Sequence, residues 1–241
     1  MKNIYTNLRK NIKIEDCEFY HTVEVDGKTI HGEWDLTDCI DDYLGGFDFK
    51  NKRVIDIGAA SGYLSFEMEK KGADVVSFDM PDGSYWDHLI YPGCKKPEAK
   101  KNECLFNGYE YLHEKLNSKN KIFRGNIYEP LPSEIGYFDV AVFGTMLSHV
   151  RDPILTLMNI LLRVKDYAIL INPFQSGSTH YQNLRGCTWW MICEEDIKSI
   201  MSDIGFEMKE ITIVKPLFDG KPRPYKSILF KRCSYHINTN S

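Results

Sequence analysis

Hydrophobic positions change their spacing along the chain, and the change separates two regions. From Arg53 onward, short apolar runs alternate with stretches in which apolar residues recur every three or four positions. Short apolar runs between turn residues are typical of buried strands, and the longer amphipathic stretches are typical of covering helices. The alternation predicts an α/β fold, a doubly wound parallel sheet with helices on both faces.

The predicted elements can be assigned to short stretches of sequence. The strands are RVIDIG, ADVVSFD, NKIFRGN, FDVAVFG and DYAILINPF, and the helices are SGYLSFEMEKKG, NECLFNGYEYLHEKL, DPILTLMNILLRV and EEDIKSIMSDIG. Two further strands, FEMKEITIV and YKSILFKRC, face each other across a turn region with Gly220 and Pro222. Strands joined by such a loop are antiparallel neighbours, so we expect an antiparallel edge on the sheet.

Residues 1–45 carry a different pattern and are predicted to cover the main domain, residues 46–241. The stretch FYHTVEVDGKTIHGEWD alternates apolar and polar residues on both sides of Asp26-Gly27, a pair that favours a tight hairpin turn. LTDCIDDYL then has apolar residues at helical spacing and is followed by two glycines. The cover is therefore predicted to be a hairpin and a helix.

Length, charge and cysteines narrow the class of protein. A chain of 241 residues suits one domain with additions. The net charge of −4 gives no general attraction to a phosphate backbone, which disfavours nucleic acid as a partner. The seven scattered cysteines include no CxxC pair and are predicted to be reduced thiols. Without an apolar run that could cross a membrane or act as a secretory signal, we expect a cytoplasmic protein.

The turn GAASG after the first predicted strand indicates a ligand site. Gly58 and Gly62 have no Cβ atoms, so the backbone can bend sharply and approach a ligand, and Ala59 and Ala60 leave space beside it. Asp79 ends the second strand, where a carboxylate can accept hydrogen bonds from both hydroxyls of a ribose. Ligands of open α/β sheets bind at this carboxyl edge.

The stretch DIGAASG, residues 56–62, resembles the first motif of class I S-adenosylmethionine-dependent methyltransferases, acid-x-Gly-x-Gly-x-Gly, with alanine at the middle glycine. Over residues 46–232, the resemblance implies a Rossmann-like, doubly wound, seven-stranded sheet with an antiparallel last strand, and S-adenosyl-L-methionine as cofactor. YHTVE and GEW, in residues 20–34, resemble the preamble of bacterial methyltransferases distantly similar to tRNA wobble-uridine carboxymethyltransferases.

Two other interpretations of the turn stay open at this point. A nicotinamide-binding domain also has glycines after its first strand, but it requires Gly-x-Gly-x-x-Gly, which GAASGY does not supply. A turn without a ligand is the second, because small residues also let helices pack closely on strands.

The resemblance implies a role for each donor-binding residue. Asp56 would lie near the ammonium group of the donor or the turn backbone, and Asp79 would hold the ribose. Asn126 and Ile127 would meet the adenine, although Asn126 is equally suited to cap a turn. The predicted cofactor residues are Asp56, Gly58, Ala59, Ala60, Gly62, Tyr63, Asp79, Met80, Asn126, Ile127, Phe143 and Gly144.

A candidate catalytic base follows the fourth predicted strand. Methyl transfer from a sulfonium needs in-line alignment, and a hydroxyl acceptor also needs a base, for which the ordinary pKa of histidine is well suited. His149 lies just beyond that strand, where a structural role is the alternative. Arg151 could bind an acidic substrate, and Asp152-Pro153 has the pattern of a helix N-terminus.

Two insertions, near residues 80–102 and 174–190, are predicted to form lids over a substrate. Their aromatic residues favour a sugar-like or planar substrate, although lid packing explains each of them singly. The acids Asp79, Asp82 and Asp87 raise the question of a metal, but a solvated loop is the better interpretation and no metal is predicted. The candidate substrate residues are Trp34, Trp86, His88, Tyr91, Arg151, His180, Tyr181 and Arg185.

The combined hypothesis is an S-adenosylmethionine-dependent methyltransferase acting on a small molecule. O-methylation of a sugar or phosphorylated metabolite, such as a surface-glycan precursor, accounts for the aromatic lids and His149. The alternatives are methyl or carboxymethyl transfer to a tRNA wobble uridine, and a protein that binds the donor without catalysis.

Overall fold

The computed structural model describes residues 3–81, 99–182 and 188–233. Its helices are α1 (Ile40–Tyr43), α2 (Tyr63–Lys70), α3 (Ala99–Lys115), α4 (Pro153–Leu161) and α5 (Glu194–Asp203). Its strands are β1 (Val23–Val25), β2 (Lys28–Ile30), β3 (Trp34–Asp35), β4 (Arg53–Ile57), β5 (Asp74–Asp79), β6 (Lys121–Arg124), β7 (Phe138–Gly144), β8 (Val164–Asn172), β9 (His180–Tyr181), β10 (Trp190–Met191), β11 (Phe206–Val214), β12 (Leu217–Phe218), β13 (Lys221–Pro222) and β14 (Tyr225–Arg232).

The central sheet has seven strands in the order β11-β14-β8-β7-β4-β5-β6. Strands β4 to β8 run parallel, and β14 is antiparallel to both of its neighbours, β8 and β11. The predicted Rossmann-like sheet with an antiparallel last strand is confirmed. The antiparallel strand lies one place in from the edge, because β14 is inserted between β8 and β11.

Side chains alternate between the two faces of the sheet and fill two apolar clusters. Along β4, Ile55 and Ile57 belong to the cluster beneath α4 and α5. Val54 belongs to the other cluster, which includes Phe66 of α2 and Tyr109 of α3. Asp56 is on the Val54 face by this alternation, so the acid of the glycine turn is directed into the interior.

The N-terminal segment packs against the second face of the sheet. β1 and β2 form the predicted hairpin around Asp26-Gly27, and Val23 and Leu36 are buried in the cluster of Val54. The predicted helix over LTDCIDDYL is wrong in length, since only Ile40–Tyr43 is helical. The backbone turns first, where the N–H of Cys39 donates to the carbonyl of Leu36, and Cys39 itself is not helical.

Two small sheets lie at the carboxyl ends of the parallel strands. β3 pairs with β12 of the connection between β11 and β14, and β13 completes a three-stranded sheet. β9 and β10 form a separate antiparallel pair in the region after β8. Among the described residues, no helix has the length and apolar content that crossing a membrane requires.

Candidate functional site

The turn between β4 and α2 has the backbone geometry that its small residues predicted. Gly58 and Gly62 have φ values of 78° and 86°, in the left-handed region that favours glycine. A Cβ on Gly62 would lie 2.5 Å from the Phe66 ring and 2.6 Å from the Tyr109 ring. On Gly58 it would lie 3.0 Å from Cγ of Met146. The turn is therefore pressed tightly against α2, α3 and the segment after β7.

Ala60, at the position of the motif's middle glycine, has a φ of 49° and is strained. Ala60→Gly is expected to stabilise the protein by up to about 1 kcal/mol, because glycine removes most of the cost of the left-handed conformation. Ala59→Gly is the matched control and should destabilise by about 1 kcal/mol, since Ala59 is buried and its φ is not positive. Urea unfolding measures both, and equal effects of the two substitutions would contradict the assignment of strain to Ala60.

Asp79, the last residue of β5, connects that strand to the glycine turn. Its two carboxylate oxygens each accept a backbone N–H at 2.7 Å, Oδ2 from Ala60 and Oδ1 from Met80. The residue is only 7% exposed. Burial raises the pKa of the carboxyl above its ordinary 3.8, and the two N–H groups and the charge of Arg124 act in the opposite direction. Each oxygen retains a second lone pair with which it can accept a hydroxyl from a ligand.

Asp56 begins a buried chain of hydrogen bonds beneath the turn. Oγ of Ser65 donates to Asp56 Oδ2 at 2.6 Å, lies 2.7 Å from Oγ of Ser77, and Ser77 is 2.9 Å from the hydroxyl of Tyr109. Burial raises the pKa of Asp56 to about 7, since the Ser65 bond compensates only in part and the nearby Asp79 charge adds to the rise. Asp56 thus supports the turn from inside the fold.

The backbone after β7 meets the turn from the other side. Thr145 has a φ of 62°, which is rare for a β-branched residue, and its Oγ1 lies 2.9 Å from the Tyr43 hydroxyl. The next residue, Met146, packs on Gly58. No local pattern in the sequence marks Thr145 or Tyr43 as site residues, because such patterns report neither backbone strain nor a long-range contact.

The N-terminal segment is tied directly to the turn. The N–H of Tyr20 donates to Oγ of Ser61, and the ring of His21 stacks on Tyr63 with centroids 5.3 Å apart. Trp34 packs on Phe218, at 4.8 Å between centroids, and on Tyr225, at 5.4 Å. Trp34 therefore joins the N-terminal segment to the β12 region at the carboxyl edge, and its role in substrate binding stays a prediction.

The remaining residues predicted to bind the methyl donor are either hydrogen-bonded within the protein or packed against its core. Oδ1 of Asn126 accepts the Tyr128 N–H and its amide donates to Glu129, so the side chain is engaged in the turn-cap arrangement. The carbonyl of Ile127 accepts from Asn159. Phe143 is fully buried in the core, and Gly144 has no room for a Cβ, which would lie 2.5 Å from Leu64. A donor role for these residues stays a prediction.

The second lid brings its aromatic residues to the candidate base. His149 ends a short 3-10 helix after β7 and is half-buried. Trp189 N–H donates to the carbonyl of Ser148, and Trp190 Nε1 donates to the carbonyl of Arg151. Tyr181 contacts both tryptophans edge-on. The described part of this lid therefore packs on the segment that carries His149.

Arg151 and His180, two of the candidate substrate residues, have defined neighbours. The Arg151 guanidinium lies 5.5 Å from the ring centroid of Tyr128, and His180 Nδ1 lies 3.0 Å from the carbonyl of Ser178. Asp152 caps α4 as predicted, accepting the Leu155 N–H. No cluster of potential metal ligands occurs in the described residues. Outside the described residues lie Trp86, His88, Tyr91, Arg185, Asp82 and Asp87.

A cleft of about 760 Å³ lies at the opposite, amino edge of the sheet. It contains none of the predicted site residues, and Arg53 of its lining pairs with Asp74. The glycine turn and Asp79 instead place the candidate site at the carboxyl edge, where the strand order reverses and ligands of such sheets bind.

Comparison with protein families gives a match to the methyltransferase domain over residues 35–211. A comparison with curated proteins found no match. The fold resembles many solved structures. A Burkholderia thailandensis 1,6-didemethyltoxoflavin-N1-methyltransferase, with bound 1,6-didemethyltoxoflavin and S-adenosylhomocysteine, is 13% identical with a TM-score of 0.58, over 82% of this chain and 78% of that chain.

Two further structures agree with this match. A magnesium protoporphyrin IX methyltransferase from Synechocystis, bound to S-adenosylmethionine, is 15% identical with a TM-score of 0.53, over 82% of this chain and 78% of that chain. An S-adenosylmethionine-dependent methyltransferase from Methanosarcina mazei is 18% identical with a TM-score of 0.56, over 83% of this chain and the whole of that chain. The family match covers well over half of the sequence, and the chain therefore belongs to the methyltransferase domain family, with a fold similar to that of S-adenosylmethionine-dependent methyltransferases.

Proposed function

We propose that the protein transfers a methyl group from S-adenosyl-L-methionine to a small molecule at the carboxyl edge of the sheet. The observation that carries the proposal is the arrangement of Asp79 and the glycine turn. A buried carboxylate with two oxygens able to accept further hydrogen bonds lies directly against a turn without side-chain bulk. This arrangement fits a ribose and the chain that extends from it.

In the proposed complex, the Asp79 carboxylate accepts hydrogen bonds from the ribose hydroxyls, and the backbone of Gly58 to Gly62 contacts the amino-acid end of the donor. When bound, the donor would supply a sulfonium-activated methyl group, whose bond to sulfur breaks as its bond to the acceptor oxygen forms, with S-adenosylhomocysteine as the leaving group. The protein supplies alignment and the exclusion of water. Tyr20 and Trp34 contribute to that exclusion, since their segment is bonded to the turn at Ser61.

The acceptor is proposed to be a hydroxyl of a sugar or phosphorylated metabolite. Support comes from the second lid, whose Tyr181, Trp189 and Trp190 lie beside the segment that carries His149. Aromatic faces bind the apolar faces of sugars, and a histidine at that position can take the hydroxyl proton. Arg151, at the same segment, provides a cation for a phosphate or carboxylate.

Calorimetric titration with S-adenosylmethionine, S-adenosylhomocysteine and NAD tests the donor. We expect the two sulfur ligands to bind and NAD not to bind. Failure of both sulfur ligands to bind would overturn the proposal. Turnover is then measured with sugars, sugar phosphates and nucleotide sugars, using His149→Ala as the control. A variant that binds the donor normally but has lost turnover would assign His149 to catalysis.

The two remaining hypotheses have distinct outcomes in the same assays. A tRNA wobble-uridine methyl or carboxymethyl transferase would retain tRNA on a filter in a salt-sensitive manner. The acidic net charge of −4 opposes this hypothesis. A protein that binds the donor without catalysis would show donor binding and no turnover with any acceptor.

A further inference from the structure

Arg124, the last residue of β6, lies beside the carboxylate at the end of β5. Its Cα is paired with that of Asp79 in the parallel ladder, so the two side chains leave the sheet on the same face. Only 5% of the Arg124 side chain is exposed. Two buried opposite charges in adjacent strands interact strongly, because little water screens them.

Besides Asp79, the described neighbours of Arg124 include an aromatic ring and a second carboxylate. The ring of Phe106 lies 4.1 Å from the guanidinium carbon, and Glu110 Oε1 lies 3.9 Å from Nη2. Glu110 is also bound by Arg9, whose Nε donates to Oε2 at 2.7 Å. Two arginines therefore face two carboxylates in this cluster, and Arg9 already compensates the charge of Glu110.

We propose that Arg124 is a positioning residue of the donor site, whose charge keeps the Asp79 carboxylate ionised as an acceptor for both ribose hydroxyls. The inference rests on the function proposed above. The N–H groups of Ala60 and Met80 fix the orientation of the carboxylate. Among the residues that the structure describes, Asp56 on β4 and Tyr109 on α3 also interact with Asp79, and neither supplies a positive charge.

The direction of the expected pH effect follows from the opposing influences on Asp79. Burial raises its pKa, whereas the N–H groups of Met80 and Ala60 and the charge of Arg124 lower it. Without Arg124, the carboxyl would take up a proton at a higher pH, so donor binding would be lost earlier as the pH falls. Without the charge of Glu110, less negative charge would offset the two arginines, and binding would persist to a lower pH.

The test is donor affinity for S-adenosylhomocysteine between pH 4 and pH 8 in two variants with opposite expected shifts. Arg124→Met should move the midpoint of binding upward by about one pH unit, and Glu110→Gln should move it downward. Lys121→Met is the matched control, because Lys121 is an exposed base at the other end of the same strand. It should leave the midpoint unchanged.

A purely structural role of Arg124 would weaken binding at every pH without moving the midpoint, and that result would overturn the inference. If Arg124→Met does not fold, Glu110→Gln decides alone, and an unchanged or raised midpoint would contradict the proposal. The two proposals fail differently. Absence of binding by the unmodified protein removes the proposed function, whereas normal binding with unshifted variants removes only the role of Arg124.

Discussion

Asp79→Ala is expected to weaken the binding of S-adenosylmethionine by about 100-fold, equivalent to about 3 kcal/mol. The substitution removes a charged acceptor for two ribose hydroxyls, and each hydrogen bond to a charged group contributes about 1.5–3 kcal/mol. It also leaves the N–H of Ala60 without the acceptor that it now has at 2.7 Å. The loss of affinity therefore combines a lost ligand contact with a less ordered turn.

Calorimetric titration measures the loss, with Glu210→Ala as the matched control. Glu210 is an exposed acid on the edge strand β11, and its removal changes the net charge by the same amount. Asp79→Asn keeps one acceptor oxygen and should lie between the two in affinity. Donor affinity in Asp79→Ala equal to that of the unmodified protein would show that the ribose is held elsewhere.

Asp56→Asn is expected to change the pH dependence of stability. Burial raises the pKa of Asp56 from its ordinary 3.8 to about 7, so between these values the folded protein binds a proton that the unfolded chain releases. Asp56 therefore lowers stability as the pH rises from about 4 to about 7, by as much as about 4 kcal/mol in total. Asparagine keeps an acceptor for Ser65 and has no charge to bury.

The measurement is urea unfolding of both proteins between pH 4 and pH 8. Asp56→Asn should gain stability relative to the unmodified protein as the pH rises, with the difference complete just above pH 7. Asp38→Asn, at an exposed position, should show no such trend. Because other carboxyl groups titrate in both proteins, the difference between the two curves is the informative quantity. A constant difference across the range would contradict a buried, protonated Asp56.

The fold was predictable because local sequence patterns determine most of its elements. The strand and helix alternation after Arg53 depends on side-chain periodicity, and the GAASG turn depends on the absence of Cβ atoms, so both can be recognised from residue types. The length of helix α1 was overestimated, because apolar spacing does not reveal that the backbone turns at Cys39.

Only those parts of the site that lie within one short stretch of sequence were predictable. Arg124 lies within the predicted strand NKIFRGN, but its position beside Asp79 depends on which strands are adjacent. The contacts of Tyr43 with Thr145 and of Trp34 with Phe218 join residues far apart in the chain. Such contacts are set by tertiary packing, and no periodicity in the sequence reports them.

The insertion of β14 between β8 and β11 has a consequence for the order of folding. This strand is synthesised after the other described strands, yet it supplies a hydrogen-bonding partner of β8. β3 must also wait for β12 before it can pair. During synthesis, the edge of β8 that β14 covers therefore stays open until residues 225–232 have left the ribosome, and the seven-stranded sheet is completed only after that.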